Sequence, residues 1–104
     1  MSMTCEISRH ATTACLIIKG NVYESDAKIL KQKFLSLPLG QIKEVVIDLG
    51  EVKYFGSSAI GKLLLFYKNL AAHNGVLRVT RTPDFMAQLF SDLRLDSLFE
   101  INRA

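Results

Sequence analysis

At 104 residues the chain has the length of one domain with one core, expected over 1–104, and leaves no room for a second catalytic domain. Hydrophobic residues make up 49% and charged residues 22%, with six Gly and two Pro, which excludes disordered and collagen-like classes. Thirteen Lys and Arg against ten Asp and Glu give a net charge of +3, spread from Arg9 to Arg103 without a basic block, so direct nucleic-acid binding is not expected.

The N-terminus, Met1 to Glu6, has neither a basic start before an apolar stretch nor an Arg-rich amphipathic pattern, so no export signal is expected and the location reads as cytoplasmic. Thr4 to Arg9 and Ala14 to Lys19 are short runs of β-branched or apolar residues joined by His10-Ala11-Thr12-Thr13, which suits an antiparallel hairpin. A turn centred there sets Cys5 opposite about Lys19 and Cys15 opposite about Ser8, so the two cysteines are expected to be free thiols. Neither lies near enough to a Cys or His partner for a zinc site, and His10 and His73 read as surface residues.

Gly20-Asn21 breaks the second strand, and Ser25-Asp26 offers a cap for a helix with Ala27, Leu30, Phe34 and Leu37 at helical spacing. Lys28, Lys31 and Lys33 read as its solvated face. Pro38-Leu39-Gly40 ends it. The apolar run Val45-Val46-Ile47, closed by Asp48, reads as a central strand covered on both faces, followed by a connection from Leu49 to Gly56.

A long helix is expected from Ser57 to His73, ended by Asn74-Gly75, with Ile60, Leu63, Leu64, Tyr67 and Ala71 inward and Leu65 and Phe66 off the stripe. Its longest apolar run, Leu63 to Tyr67, is far below the roughly 20 residues of a membrane span. Val76 to Thr80 is the next strand, and Pro83 opens a further helix with Thr82 as cap and Phe85, Leu89 and Phe90 inward. Leu98 to Asn102 closes the chain as a strand. The order β β α β α β α β predicts a small α/β fold, with helices against a mostly parallel mixed sheet of four to five strands opened by one antiparallel hairpin.

The segment Gly56-Ser57-Ser58-Ala59-Ile60-Gly61-Lys62-Leu63 opens the longest helix and admits three readings. A serine at a helix start can serve only as a cap, worth about 1 kcal/mol. Gly56, Gly61 and Lys62 match the spacing of a phosphate-binding loop, but that motif then needs Ser or Thr to place a hydroxyl on Mg²⁺, and Leu63 cannot ligate a metal. In the third reading a serine is a phosphorylation site, because free N–H donors and the partial positive charge of a helix N-terminus stabilise a phosphate dianion. Neither paired carboxylates nor a Cys-His couple stand at a plausible site, so no enzyme activity is expected.

The string from Val45 to Lys68, with an apolar strand ending in Asp48, the loop residues Tyr54-Phe55, Gly56-Ser57-Ser58-Ala59-Ile60-Gly61 at a helix start and Tyr67-Lys68 within the helix, resembles the STAS family, the bacterial anti-sigma factor antagonists. The flanking elements fall where that family has them, so the resemblance covers nearly the whole chain. It implies a non-enzymatic switch protein in which Ser58, or as second choice Ser57, is phosphorylated by an ATP-binding serine kinase that doubles as an anti-sigma factor. The unphosphorylated protein binds that kinase and frees a sigma factor, and a metal-dependent serine phosphatase restores it. No cofactor is implied for this chain.

The partner contact is expected at Gly56, Ser57, Ser58, Ala59 and Lys62, with Phe66 at its edge. Two positions depart from the family: Gly56 stands where the family has an acidic residue, and Ala59 where it has glycine, adding a methyl expected on the approach surface. Other STAS proteins are unphosphorylated subunits of signalling or lipid-transport assemblies, which is the alternative the resemblance allows.

Overall fold

The computed structural model describes residues 2–104; Met1, part of the expected 1–104 domain and of the N-terminal reading, lies outside the described residues. Five strands, β1 (Thr4–His10), β2 (Thr13–Val22), β3 (Glu44–Phe55), β4 (Val76–Thr82) and β5 (Glu100–Arg103), form one sheet in sequential order. β1 and β2 are antiparallel and every later pair is parallel. The helices α1 (Glu24–Leu35), α2 (Ser57–Ala72) and α3 (Asp84–Asp92) fill the three parallel crossovers.

Parallel crossovers are right-handed because only that hand lets a twisted strand and a helix pack back on the sheet. With the strands in sequential order, that rule sends all three helices to the same face. The burial pattern agrees: β2 and the first half of β3 alternate buried and half-buried residues, so Leu16, Ile18, Val45, Ile47 and Leu49 enter the core while Cys15, Ile17, Val46 and Asp48 occupy the open face. This corrects the reading of Val45 to Ile47 as a strand covered on both faces. Continuous apolar runs arise wherever the second face is half-shielded, and Val46 is such a residue.

The hairpin places Ser8 opposite Cys15 as expected, and Cys5 opposite Ile18, one residue from the expected pairing. Both thiols are free, and the register sets them on opposite faces of the sheet. Burial pushes the Cys5 thiol up from its ordinary value, only partly offset by the nearby Lys33 ammonium and reinforced by Glu6, which makes it a poor nucleophile.

β2 and β3 run longer than the sequence pattern suggested. Gly20 does not end β2: it takes a positive φ of 89° beside register shifts, and the strand continues to Val22. Residues 49–55, expected as a connection, pair with this extension through Lys19↔Glu51, Gly20↔Val52 and Val22↔Phe55. Beyond Asp48 the β4 partner stops, so this part of β3 carries polar residues that conceal a strand.

α1 begins at Glu24, so the N-cap residue is not Ser25, while the Asp26 carboxylate caps the helix start from the third position. Its N-cap is Tyr23, whose backbone N–H donates to Asp26 Oδ2 at 3.0 Å. Thr82 is likewise not a cap: it belongs to β4, Pro83 is the N-cap of α3, and the buried Thr82 hydroxyl has no partner within the described residues. Phe90 is buried and Leu89 half-buried against the core as expected, whereas Phe85 is exposed and Met86 and Ala87 fill the inward face in its place. The last strand also starts later, at Glu100, behind a 3₁₀ turn over Leu95–Ser97.

On the open face Arg81 Nε donates to both Asp48 carboxylate oxygens at 3.0 Å, and the Gly50 N–H donates to Asp48 Oδ1 at 2.9 Å. Arg81 adopts a left-handed φ of 52° in doing so. At the end of α2, Asn74 takes the left-handed turn at φ 63°. Gly75 serves a different need: a Cβ there would run into the Leu70 side chain, which is fully buried and has nowhere to retreat. Gly75→Ala is therefore expected to cost about 1–3 kcal/mol by overpacking. Urea unfolding checks it, with a lower midpoint and an unchanged slope as the expected result.

Candidate functional site

The extended pairing of β2 with β3 brings two chain corners together. Val22 ends β2, Phe55 pairs with it, and the Gly56 N–H donates to the Val22 carbonyl at 3.1 Å. Gly56 is the N-cap of α2 in extended conformation (φ −76°, ψ 171°), and its carbonyl accepts the Ile60 N–H at 3.0 Å. Ser57, Ser58 and Ala59 then occupy the first turn, where backbone N–H groups have no intrahelical acceptor.

The structure divides the expected site residues. Ser57 is exposed and Ser58 half-buried, and together with Gly56 they line a small open pocket whose other walls are Tyr23, Glu24 and Tyr54. Lys62 follows Ser58 by four residues and so stands on the same face of α2. Ala59 is different: it is 0% exposed, and its methyl faces the core and not the approach surface. Phe66 also leaves the expected surface. It is 4% exposed and stacks on Phe34 of α1, with ring centroids 4.2 Å apart and planes 12° from parallel.

The cause is a rotation of the buried stripe of α2 toward α1. Ala59, Ile60, Leu63, Phe66 and Leu70 are buried, Leu64 and Tyr67 half-buried, and Ala71 exposed. The exposed neighbour is Leu65, at 49%. Phe66→Ala is therefore expected to cost about 3–5 kcal/mol and Leu65→Ser less than about 1 kcal/mol. Thermal melts of the two variants check this; a small shift for Phe66→Ala would contradict the packing.

Tyr23 and Glu24 were not singled out by the sequence, and Tyr54 was named only as a loop residue of the family-like string. The tyrosine rings contact each other with centroids 5.2 Å apart, and both remain about half exposed. A Cβ on Gly56 would lie 3.3 Å from Tyr54 Cε2, 3.5 Å from Tyr54 Oη and 3.5 Å from the Val22 carbonyl. The backbone at Gly56 therefore accepts any residue, but a side chain there must displace the Tyr54 ring. The one advance signal was Tyr54 beside Phe55 in the loop of the family-like string.

Elsewhere among the described residues, no three of His, Cys, Asp and Glu are gathered where they could hold a metal ion, and no helix is long and apolar enough to cross a membrane.

A family model described as "Mlab, STAS domain" matches residues 5–100. The chain belongs to the STAS family. The fold is shared with an anti-sigma factor antagonist from Mycobacterium paratuberculosis (21% identity, TM-score 0.86, covering 99% of this chain and 87% of that one). It is shared also with a structure described as an anti-sigma factor antagonist from Thermotoga maritima (13%, 0.84, covering 96% and 86%). A third is the Bacillus cell-fate determinant SpoIIAA in its phosphorylated form (15%, 0.76, covering 96% and 90%). At these identities the likeness is one of fold.

Proposed function

We propose that this protein is an anti-sigma factor antagonist: a non-catalytic, cytoplasmic binding protein that sequesters a serine-kinase anti-sigma factor and thereby frees a sigma factor, with phosphorylation of Ser58 as the release signal. The observation that carries the reading is the placement of Ser58, at the second position of α2 with its side chain at an open pocket, on a fold shared with anti-sigma factor antagonists. The Bacillus protein of the same fold has been solved in a phosphorylated form. ATP belongs to the partner kinase, a metal-dependent serine phosphatase resets the switch, and the chain itself needs no cofactor.

The physics runs in two steps. A phosphate at the start of α2 gains roughly 0.3–1 kcal/mol from the helix dipole, so the fold tolerates it. At the docked surface of Gly56, Ser57, Ser58 and Lys62, the same dianion meets desolvation and any acidic group opposite, costs of several kcal/mol that lower affinity by orders of magnitude.

A second reading, an unphosphorylated STAS subunit of a signalling or lipid-transport assembly, is favoured by one observation. Gly56 supplies no carboxylate beside the serines, and Tyr54 fills the adjacent space. The two readings separate by incubating the protein with serine-kinase anti-sigma factors of its own organism and ATP, then mapping the modified residue by mass spectrometry. Phosphate is expected on Ser58, retained in Ser57→Ala and absent in Ser58→Ala. Ser58→Ala is expected to bind the kinase constitutively and Ser58→Asp at least about tenfold more weakly. An unmodified Ser58 would shift the assignment to the second reading.

A further inference from the structure

The groove between α1 and α2 has a role that the serine turn does not exhaust. Its floor is the stacked pair Phe34 and Phe66, and its walls carry Leu35, 67% exposed, and Leu65, 49% exposed. Lys31 and Lys62 stand in the same lining, which contains no acidic residue. Neither lysine forms an ion pair within the described residues, whereas Lys19, Arg78, Arg81 and Arg103 all pair with Asp or Glu. The groove therefore combines a preformed apolar floor with two lysines and no acidic residue in its lining to balance them.

We propose that this groove docks an acidic segment of a partner protein, which inserts one or two apolar side chains over the Phe34–Phe66 floor and sets carboxylates against Lys31 and Lys62. Charge complementarity selects that occupant. A basic segment would meet two unpaired ammonium groups, whereas carboxylates would find both of them free to pair. The site lies on the Ser58 face of α2, since Ser58, Lys62, Leu65 and Asn69 follow one another at helical spacing. It does not require Ser58 to be phosphorylated.

The test uses the isotope-labelled full chain and synthetic three-turn helical peptides with leucines on one face and glutamates elsewhere. Amide signals of Lys31, Leu35, Leu65 and Asn69 are expected to shift saturably with this peptide and not with its lysine counterpart or with one carrying serine for leucine. Raising salt to about 1 M, where the Debye length is about 3 Å, is expected to weaken binding. K31E/K62E, checked for native melting, should bind the glutamate peptide about tenfold or more weakly and now accept the lysine peptide. Equal binding of both charge types, shifts confined to other surfaces, no binding of any peptide, or concentration-dependent groove shifts without peptide would each overturn the proposal. No kinase is involved, so this outcome is independent of the phosphorylation experiment.

Discussion

The handedness of the parallel crossover governs this molecule. Three such connections in a sheet of sequential strand order put every helix on one face, so one layer of helix must cover five strands. The core is accordingly one-sided, running from Leu16, Ile47 and Val79 in the sheet to Leu30, Leu63 and Phe90 in the helices. Adjacent crossovers also make α1 and α2 neighbours, joined at Phe34 and Phe66. The open face is left to ion pairs such as Asp48 with Arg81, which are partly exposed and contribute at most about 1 kcal/mol each.

From the same constraint comes the location of the candidate site. In a parallel sheet the C-terminal strand ends gather at one edge, and the chain leaves each strand there to enter a helix. The exits of β2 and β3 are neighbours, so Tyr23 and Glu24 at the start of α1 meet Gly56, Ser57 and Ser58 at the start of α2. The Val22 to Gly56 hydrogen bond fixes their relative height. Two helix starts thus share a single pocket without any long-range loop.

The order of elements and the serine turn were legible because local signals and tertiary structure agree there. Asn74-Gly75 ends α2 as its chemistry requires, and the run Val45 to Ile47 is a strand. What escaped was set by partners distant in sequence. Residues 49–55 look like a loop because Gly50, Glu51 and Lys53 interrupt the apolar run, and are a strand because β2 continues alongside. Phe66 falls at the margin of a stripe averaged over α2 alone, yet α1 approaches from that side and rotates the buried face toward it. The walls supplied by Tyr23 and Tyr54 needed the β2–β3 register, which no periodicity within either strand encodes.

The two proposed sites, on the serine turn and in the α1–α2 groove, are linked by the geometry of α2. Ser58 and Lys62 are one turn apart on the same face, so a phosphate on Ser58 would lie within reach of the Lys62 ammonium. Pairing would draw that charge away from the groove, and the remaining negative charge would repel an acidic segment approaching along the same face. Both effects have the same sign. A partner held at the groove would then sense modification at the serine turn without any movement of the fold, because the coupling runs through one lysine and the field of one dianion. Lys31, carried on the neighbouring helix and free of that pairing, would keep part of the attraction, so the phosphate would weaken groove binding in a graded way while acting more sharply on contacts made at Ser58 itself.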